Sequence, residues 1–260
     1  MLLTGPADRS EPSDSGPTAT ASCEPDAPRS TVVSMGFLRH AGQVAWKDLR
    51  VELRSREIVT TMIFFGALLV VIYSFAFPHD DKAVRSSVPG MLWVAMAFTG
   101  TIALGRAFDR ERENDTMRAL LLSPVPRLAV FLGKAAAMAA LVLAVSVVVA
   151  PLLALFLSAP LFDYAGELAL VVTLGAVGIA VVGSVFAATL LKVRSRDVLL
   201  PVILYPLLVP LFVAGTKTTA ALVEVHPNLE AAWYWIRFLG IYDAAFLVLS
   251  MWVFESLVIE

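Results

Sequence analysis

The chain has one cysteine among 260 residues, and Cys23 falls in a polar amino-terminal stretch. An internal disulfide framework and a cysteine-based metal site are therefore both excluded. Nucleotide loops are missing too. No G-x-x-x-x-G-K-[ST] pattern occurs, and the nearest fragment, Gly133-Lys134, lies at the mouth of an apolar run, so the chain does not hydrolyse ATP by itself. Charge is scarce over long tracts, and the formal net charge of -2 hides its clustering. Nucleic acid is not a partner that this distribution suits.

Apolar sequence is plentiful: 58% of the residues are hydrophobic and the mean hydropathy is +0.77, which places the chain among membrane proteins. A transmembrane helix needs about 20 apolar residues to cross roughly 30 Å of hydrocarbon. Six segments qualify, at Val59–Phe77, Val88–Gly105, Leu128–Leu157, Leu168–Leu191, Val198–Gly215 and Ile241–Ile259. Pro151 predicts a kink or early end in the third. Pro201, Pro206 and Pro210 make the fifth the least regular, as a hinge or as a static kink.

Lys and Arg are retained on the cytoplasmic side. They collect before the first span (Arg39, Lys47, Arg50, Arg54, Arg56), between the second and third (Arg106, Arg110, Arg112, Arg118, Arg127) and between the fourth and fifth (Lys192, Arg194, Arg196). Both termini are thus expected in the cytosol. The opposite connections are poorer, with Lys82 and Arg85 in the first and Lys217 and Arg237 in a long Thr216–Gly240 outer segment. This topology separates His40 from His79 and His226, so a three-histidine metal site is untenable, while axial haem ligation by His79 or His226 stays open beside the plainer reading of solvated loop histidines. No residue is assigned to metal binding, to direct cofactor binding or to catalysis.

Residues 1–35 carry acids throughout and no apolar core, unlike a secretory signal, and read as a disordered tail; an equally plain reading starts translation near Met35. The remainder, 36–260, reads as one membrane domain. From Phe37 to Arg56, Ala41, Ala45, Trp46, Leu49 and Leu53 recur at helical spacing, while Lys47, Arg50 and Arg54 line another face. This is an amphipathic interfacial helix, with Trp46 as headgroup anchor and its basic side toward cytosol and anionic lipid.

Between the second and third spans, Gly105–Lys134 is a dense charge cluster. Asp109, Arg110, Glu111, Arg112 and Glu113 precede the short apolar group Met117, Leu120, Leu121 and Leu122, and Ser123-Pro124 and Pro126 stop it. The order predicts a membrane helix projecting into the cytosol, a turn at Asn114-Asp115 and a short amphipathic helix that presents a face to a soluble partner. Ionisable residues inside spans are few. Lys134 can snorkel to the cytoplasmic surface; Glu167 and Asp243 are placed near the outer boundary, where water reaches them, and Glu255 in the inner third. Gly175, Gly178 and Gly183 permit close helix contact in the fourth span. Trp233, Tyr234 and Trp235 cluster outside, as an aromatic girdle or as a partner surface.

The run RERENDTMRALLLSPVPRLAVFLGK, following an interfacial helix and two spans, resembles permeases of the ABC-2 exporter class. Within that class the chain resembles the CcmB family, haem exporter protein B of cytochrome c maturation. The resemblance is carried by WKDLRVELRSRE at Trp46–Glu57, VPGMLWVAMAFTG at Val88–Gly100, FDREREN at Phe108–Asn114, LLSPVPRLAVFLGK at Leu121–Lys134 and, more weakly, SRDVLLPVILYPLLVP at Ser195–Pro210.

The resemblance implies an all-α permease subunit of the bacterial inner membrane, paired as a homodimer and without catalytic residues of its own. It implies a CcmA-type ATP-binding subunit carrying the ATP, and CcmC, CcmD and the haem chaperone CcmE as partners, with haem as cargo or held by those partners. Asp109, Arg110, Glu111, Arg112, Glu113, Met117, Arg118, Leu121 and Pro124 would receive the ATPase stroke; Trp233 and Trp235 would face an outer partner. The competing expectations are an ABC-2 permease for a lipid, glycan or drug, and a non-transporting membrane scaffold.

Overall fold

A computed structural model of the chain describes residues 29–76, 80–113, 127–189 and 196–257. They form seven helices: α1 (Arg29–Ser55), α2 (Glu57–Ala76), α3 (Asp81–Glu113), α4 (Arg127–Leu157), α5 (Ala165–Thr189), α6 (Arg196–Val223) and α7 (Leu229–Leu257). Helices α2 to α7 each contain a stretch long and apolar enough to cross a membrane. An all-helical spanning architecture follows from the solvent, since hydrocarbon offers backbone amides and carbonyls no partner outside the helix. Burial shows how the helices are used. In α2 only Ile58, Met62, Gly66 and Val70 are buried, one stripe at four-residue spacing, while Phe64, Leu68, Val71, Ile72 and Phe75 are exposed in keeping with a lipid-facing side. Helix α5 is the central element and packs against α3, α4, α6 and α7.

Several boundaries differ from those read in the sequence. Helix α1 begins at Arg29, inside the stretch expected as tail, and the disorder and start-site expectations for residues 1–28 lie outside the described residues. Pro151 does not end the third span: α4 runs on to Leu157 and stops where Ser158 takes the left-handed conformation (φ 51°) and the Ala159 amide donates to the Ala154 carbonyl at 3.1 Å. Pro201, Pro206 and Pro210 lie within one continuous helix.

The outer end departs most. The long outer segment expected at Thr216–Gly240 is reduced to residues 224–228, because α6 continues to Val223 and α7 already begins at Leu229. The hydroxyls of Thr218 and Thr219 donate back to the Ala214 and Gly215 carbonyls at 2.9 Å each, so these polar residues are satisfied inside the helix and do not interrupt it. Arg85 Nη1 donates to the Val223 carbonyl at 2.7 Å and closes the end of α6. The Asn228 side chain accepts from the Ala231 amide at 3.0 Å and caps the start of α7.

Candidate functional site

Three elements meet at the end of the bundle where Lys and Arg collect, the cytoplasmic end by the positive-inside rule. The span within α3 ends at Gly105, yet the helix continues to Glu113, so Asp109, Arg110, Glu111, Arg112 and Glu113 sit on a helical extension beyond the apolar stretch. Met117, Arg118, Leu121 and Pro124, with the expected turn and short amphipathic helix, lie outside the described residues. Helix α4 opens immediately after them, and its first turns carry α1.

The contact between α1 and α4 is close. A Cβ added at Gly133 would stand 2.6 Å from the Ala41 carbonyl oxygen and 2.7 Å from the Val44 Cβ, so only glycine lets the two backbones approach this far. One turn along α1, Asp48 Oδ2 lies 3.6 Å from Lys134 Nζ, and Asp48 Oδ1 lies 2.9 Å from Lys47 Nζ. Lys134 is only 7% exposed, so its charge is held against α1 and is not carried free into water as expected from snorkelling alone. Glu52, 3% exposed, bridges to α2: its Oε1 accepts from the Ile58 amide at 2.8 Å and the Val59 amide at 3.3 Å. Between the helices Arg56 takes φ 56°, and its amide donates to the Glu52 carbonyl at 2.7 Å. Glu52 thereby supplies acceptors that the first amides of α2 would otherwise lack.

This corrects the two-faced reading of α1. Ala41, Ala45 and Leu49 do lie on the packed side, together with Val44, Asp48 and Glu52, whereas Trp46, Lys47, Arg50 and Arg54 are all exposed. At 100° per residue, Trp46, Lys47, Arg50 and Arg54 fall on one side, so the tryptophan shares the basic face and does not share a face with Ala41. The physical reason is that Asp48 and Glu52 find partners in Lys134 and the α2 amides, which lets a face that carries acids pack against the bundle. Trp46, 62% exposed, remains free to meet a headgroup layer.

At the outer end, Trp233 and Trp235 do not form one surface. Trp233 is exposed, whereas Trp235 packs on the core, with its ring 5.3 Å from Tyr234 and 5.9 Å from Phe238. Two positions apart on a helix point about 200° apart. His226 is exposed in the 224–228 connection, and His79 lies outside the described residues.

The membrane interior holds residues that periodicity did not single out. Trp93 on α3 is buried at 2% exposure, with its ring against Gly175 of α5 and Gly215 of α6, and its Nε1 donates to Thr219 Oγ1 at 3.0 Å. The absent side chains at two glycines make its seat. Asp243, expected near the outer boundary, is buried at mid-span, because α7 begins twelve residues earlier than Ile241. Glu255, expected in the inner third of the membrane, lies on the last turn of α7, and its side chain is outside the described residues. The earlier helix start moves Asp243 from the outer boundary to the middle of the apolar stretch. The backbone of α7 decided that depth.

Six apolar spans, a helical extension and a packed basic helix at one end define an all-α multi-pass membrane protein. The sequence profile of the family described as CcmB protein matches residues 39–258. The chain belongs to the CcmB family. It is 26% identical to heme exporter protein B of Pseudomonas aeruginosa over 67% of this chain and 78% of that protein. It is also 26% identical to heme exporter protein B of Rhodobacter capsulatus, over 66% of this chain and 78% of that one. The protein of the same description from Escherichia coli K12 is 29% identical over a shorter stretch, 34% of this chain and 42% of its own length.

Proposed function

We propose that this chain is the membrane permease subunit of an ATP-driven complex of the bacterial inner membrane that serves haem export and cytochrome c maturation. On this reading a separate CcmA-type subunit hydrolyses ATP. Its stroke enters through the α3 extension and the residue 114–126 connection, and the outcome is release of haem-loaded chaperone CcmE on the outer side, with CcmC and CcmD in the same assembly and a second copy of the chain beside the first. Relatives described as heme exporter protein B support the cargo class.

The observation that carries the coupling is the unbroken run of α3 beyond Gly105 to Glu113. A continuous helix transmits a displacement at its charged tip into the span, and α3 reaches α5 and α6 through Trp93. The clamp of Asp48 and Glu52 ties α1 to α4 and α2, so a force on α1 is delivered to two further spans. Two packings of the bundle biased differently by ATP state are what such a transmission requires.

Purification with the ATP-binding subunit, followed by ATPase assay with and without haem-loaded chaperone, tests the reading. Glu113→Ala combined with Arg118→Ala is expected to leave the chain inserted while uncoupling hydrolysis from chaperone release. Normal cytochrome c yield from that variant would overturn the coupling role, and failure to capture any ATP-binding subunit would favour a scaffold.

A further inference from the structure

Among the described residues, the buried side-chain atoms without a hydrogen-bond partner are Ser184 Oγ and both carboxylate oxygens of Asp243. They lie on α5 and α7, which pack against each other. Asp243 is 6% exposed and stands 14 residues into α7, about 21 Å from its start. A Cβ added at Gly178 would come within 2.5 Å of its Oδ1 and would also strike Leu211 Cδ1. The carboxyl group is therefore seated against the bare backbone of α5 and a leucine of α6.

Among the described residues, no charge on the surrounding helices answers it. On α5 the one acid, Glu167, is eleven residues before Gly178 at the outer end. On α6, Tyr205 Oη lies 3.1 Å from Thr101 Oγ1, and Lys217 is exposed six residues beyond Leu211. Lys134 of α4 is engaged with Asp48 at the basic end. On α7 itself, Tyr242 Oη donates to the Leu207 carbonyl at 2.6 Å, while Glu230, Tyr234 and Arg237 are exposed nearer its start. The side chains of Arg127, Arg196, Asp197 and Glu255, toward the basic end, lie outside the described residues. No group of three metal-ligating side chains is gathered among the described residues.

An unpaired ionised carboxylate is strongly disfavoured in such a setting, and the seat has no room for a ligand with atoms of its own. A proton meets both constraints. We propose that Asp243 is a proton-binding site in the membrane interior: packing of α5, α6 and α7 holds it as the neutral acid, and parting of these helices admits water and releases the proton. In that step the O–H bond breaks, its electron pair stays on the carboxylate and water takes the proton. Ser250, seven residues further along α7 and buried, lies on the same face of that helix toward the basic end. This proton site goes beyond the permease reading, and its test uses the full chain alone, so either can fail without the other.

The test is infrared spectroscopy on the full-length chain in phosphatidylcholine vesicles with carboxyl-labelled aspartate, joined to thermal unfolding across pH. A neutral aspartic acid band at about pH 7 is expected in the wild type and lost in Asp243→Asn. The folded form then holds one proton more than the unfolded form, so stability falls as pH rises. The wild-type midpoint is expected to drop by about 4 °C per pH unit between about pH 5 and pH 6 and to level off above about pH 7, where the folded form also loses the proton, and Asp243→Asn is expected to lack this slope. Absence of a neutral aspartic band in the wild type, or an equal pH slope in the variant, overturns the proposal. Should Asp243→Asn fail to accumulate, Asp243→Leu takes its place in the same comparison, and persistence of the neutral aspartic band in that variant overturns the proposal.

Discussion

Among the described residues, acidic side chains packed at the basic end and at mid-membrane are treated in opposite ways. At the basic end, Glu52 is spent on the Ile58 and Val59 amides and Asp48 on Lys134 and Lys47. At mid-membrane, Asp243 has neither cation nor donor among the described residues. A satisfied acid is a joint, and removing it loosens the structure. An unsatisfied acid costs the fold free energy and marks a position kept for something other than stability.

Substitutions can break this contrast, and the largest effect is expected at the elbow. Glu52→Ala leaves two amides of α2 without their acceptor and should lower stability by about 2–3 kcal/mol, read from thermal unfolding in detergent micelles, with faster amide exchange confined to Ile58 and Val59. Glu52→Gln, which keeps an acceptor oxygen, should recover part of the loss. Asp243→Leu should act in the opposite direction: replacing an unpaired buried carboxyl by an apolar side chain is expected to raise stability by about 1–2 kcal/mol near neutral pH in the same measurement. A loss of similar size would erase the distinction between the two sites.

Smaller effects sharpen it. Asp48→Leu should cost about 1–2 kcal/mol because it strips the buried Lys134 of a partner, whereas Lys134→Met should stay within about 1 kcal/mol of the wild type, since an apolar side chain suits that seat. Trp93→Phe removes the donor to Thr219 while keeping most of the ring, and about 1 kcal/mol is expected. Trp46→Ala, on the exposed face of α1, should leave the unfolding midpoint within about 0.5 kcal/mol of the wild type. Its effect should instead appear as weaker association of a peptide spanning Arg29–Ser55 with anionic vesicles.

Much of this was legible in one dimension. Hydropathy alone placed six spans, because a helix in hydrocarbon must be apolar over its whole length, and that condition needs no knowledge of its neighbours. The α3 extension was legible for the same local reason, since helix-forming charged residues follow Gly105 without a breaker before Asn114. The ends of α6 and α7 were not. Thr216–Val223 and Leu229–Gly240 carry polar and aromatic residues that hydropathy scores as loop, yet threonine hydroxyls bonded back to carbonyls and a cap from Asn228 keep both stretches helical.

Sequence by itself determined the class of the protein, its count of spans, the gathering of Lys and Arg at one end and the motifs that resemble the CcmB family. Those depend on composition, spacing and order along the chain. The tertiary structure decided which face of α1 is used, that Trp93 is the wedge between α3, α5 and α6, and that Asp243 is buried without a partner while Glu52 is buried with one. Periodicity gives the direction of a side chain about its own helix, but whether a carboxylate meets an amide, a lysine or a leucine depends on which helix lies opposite, and that is settled only when the helices pack.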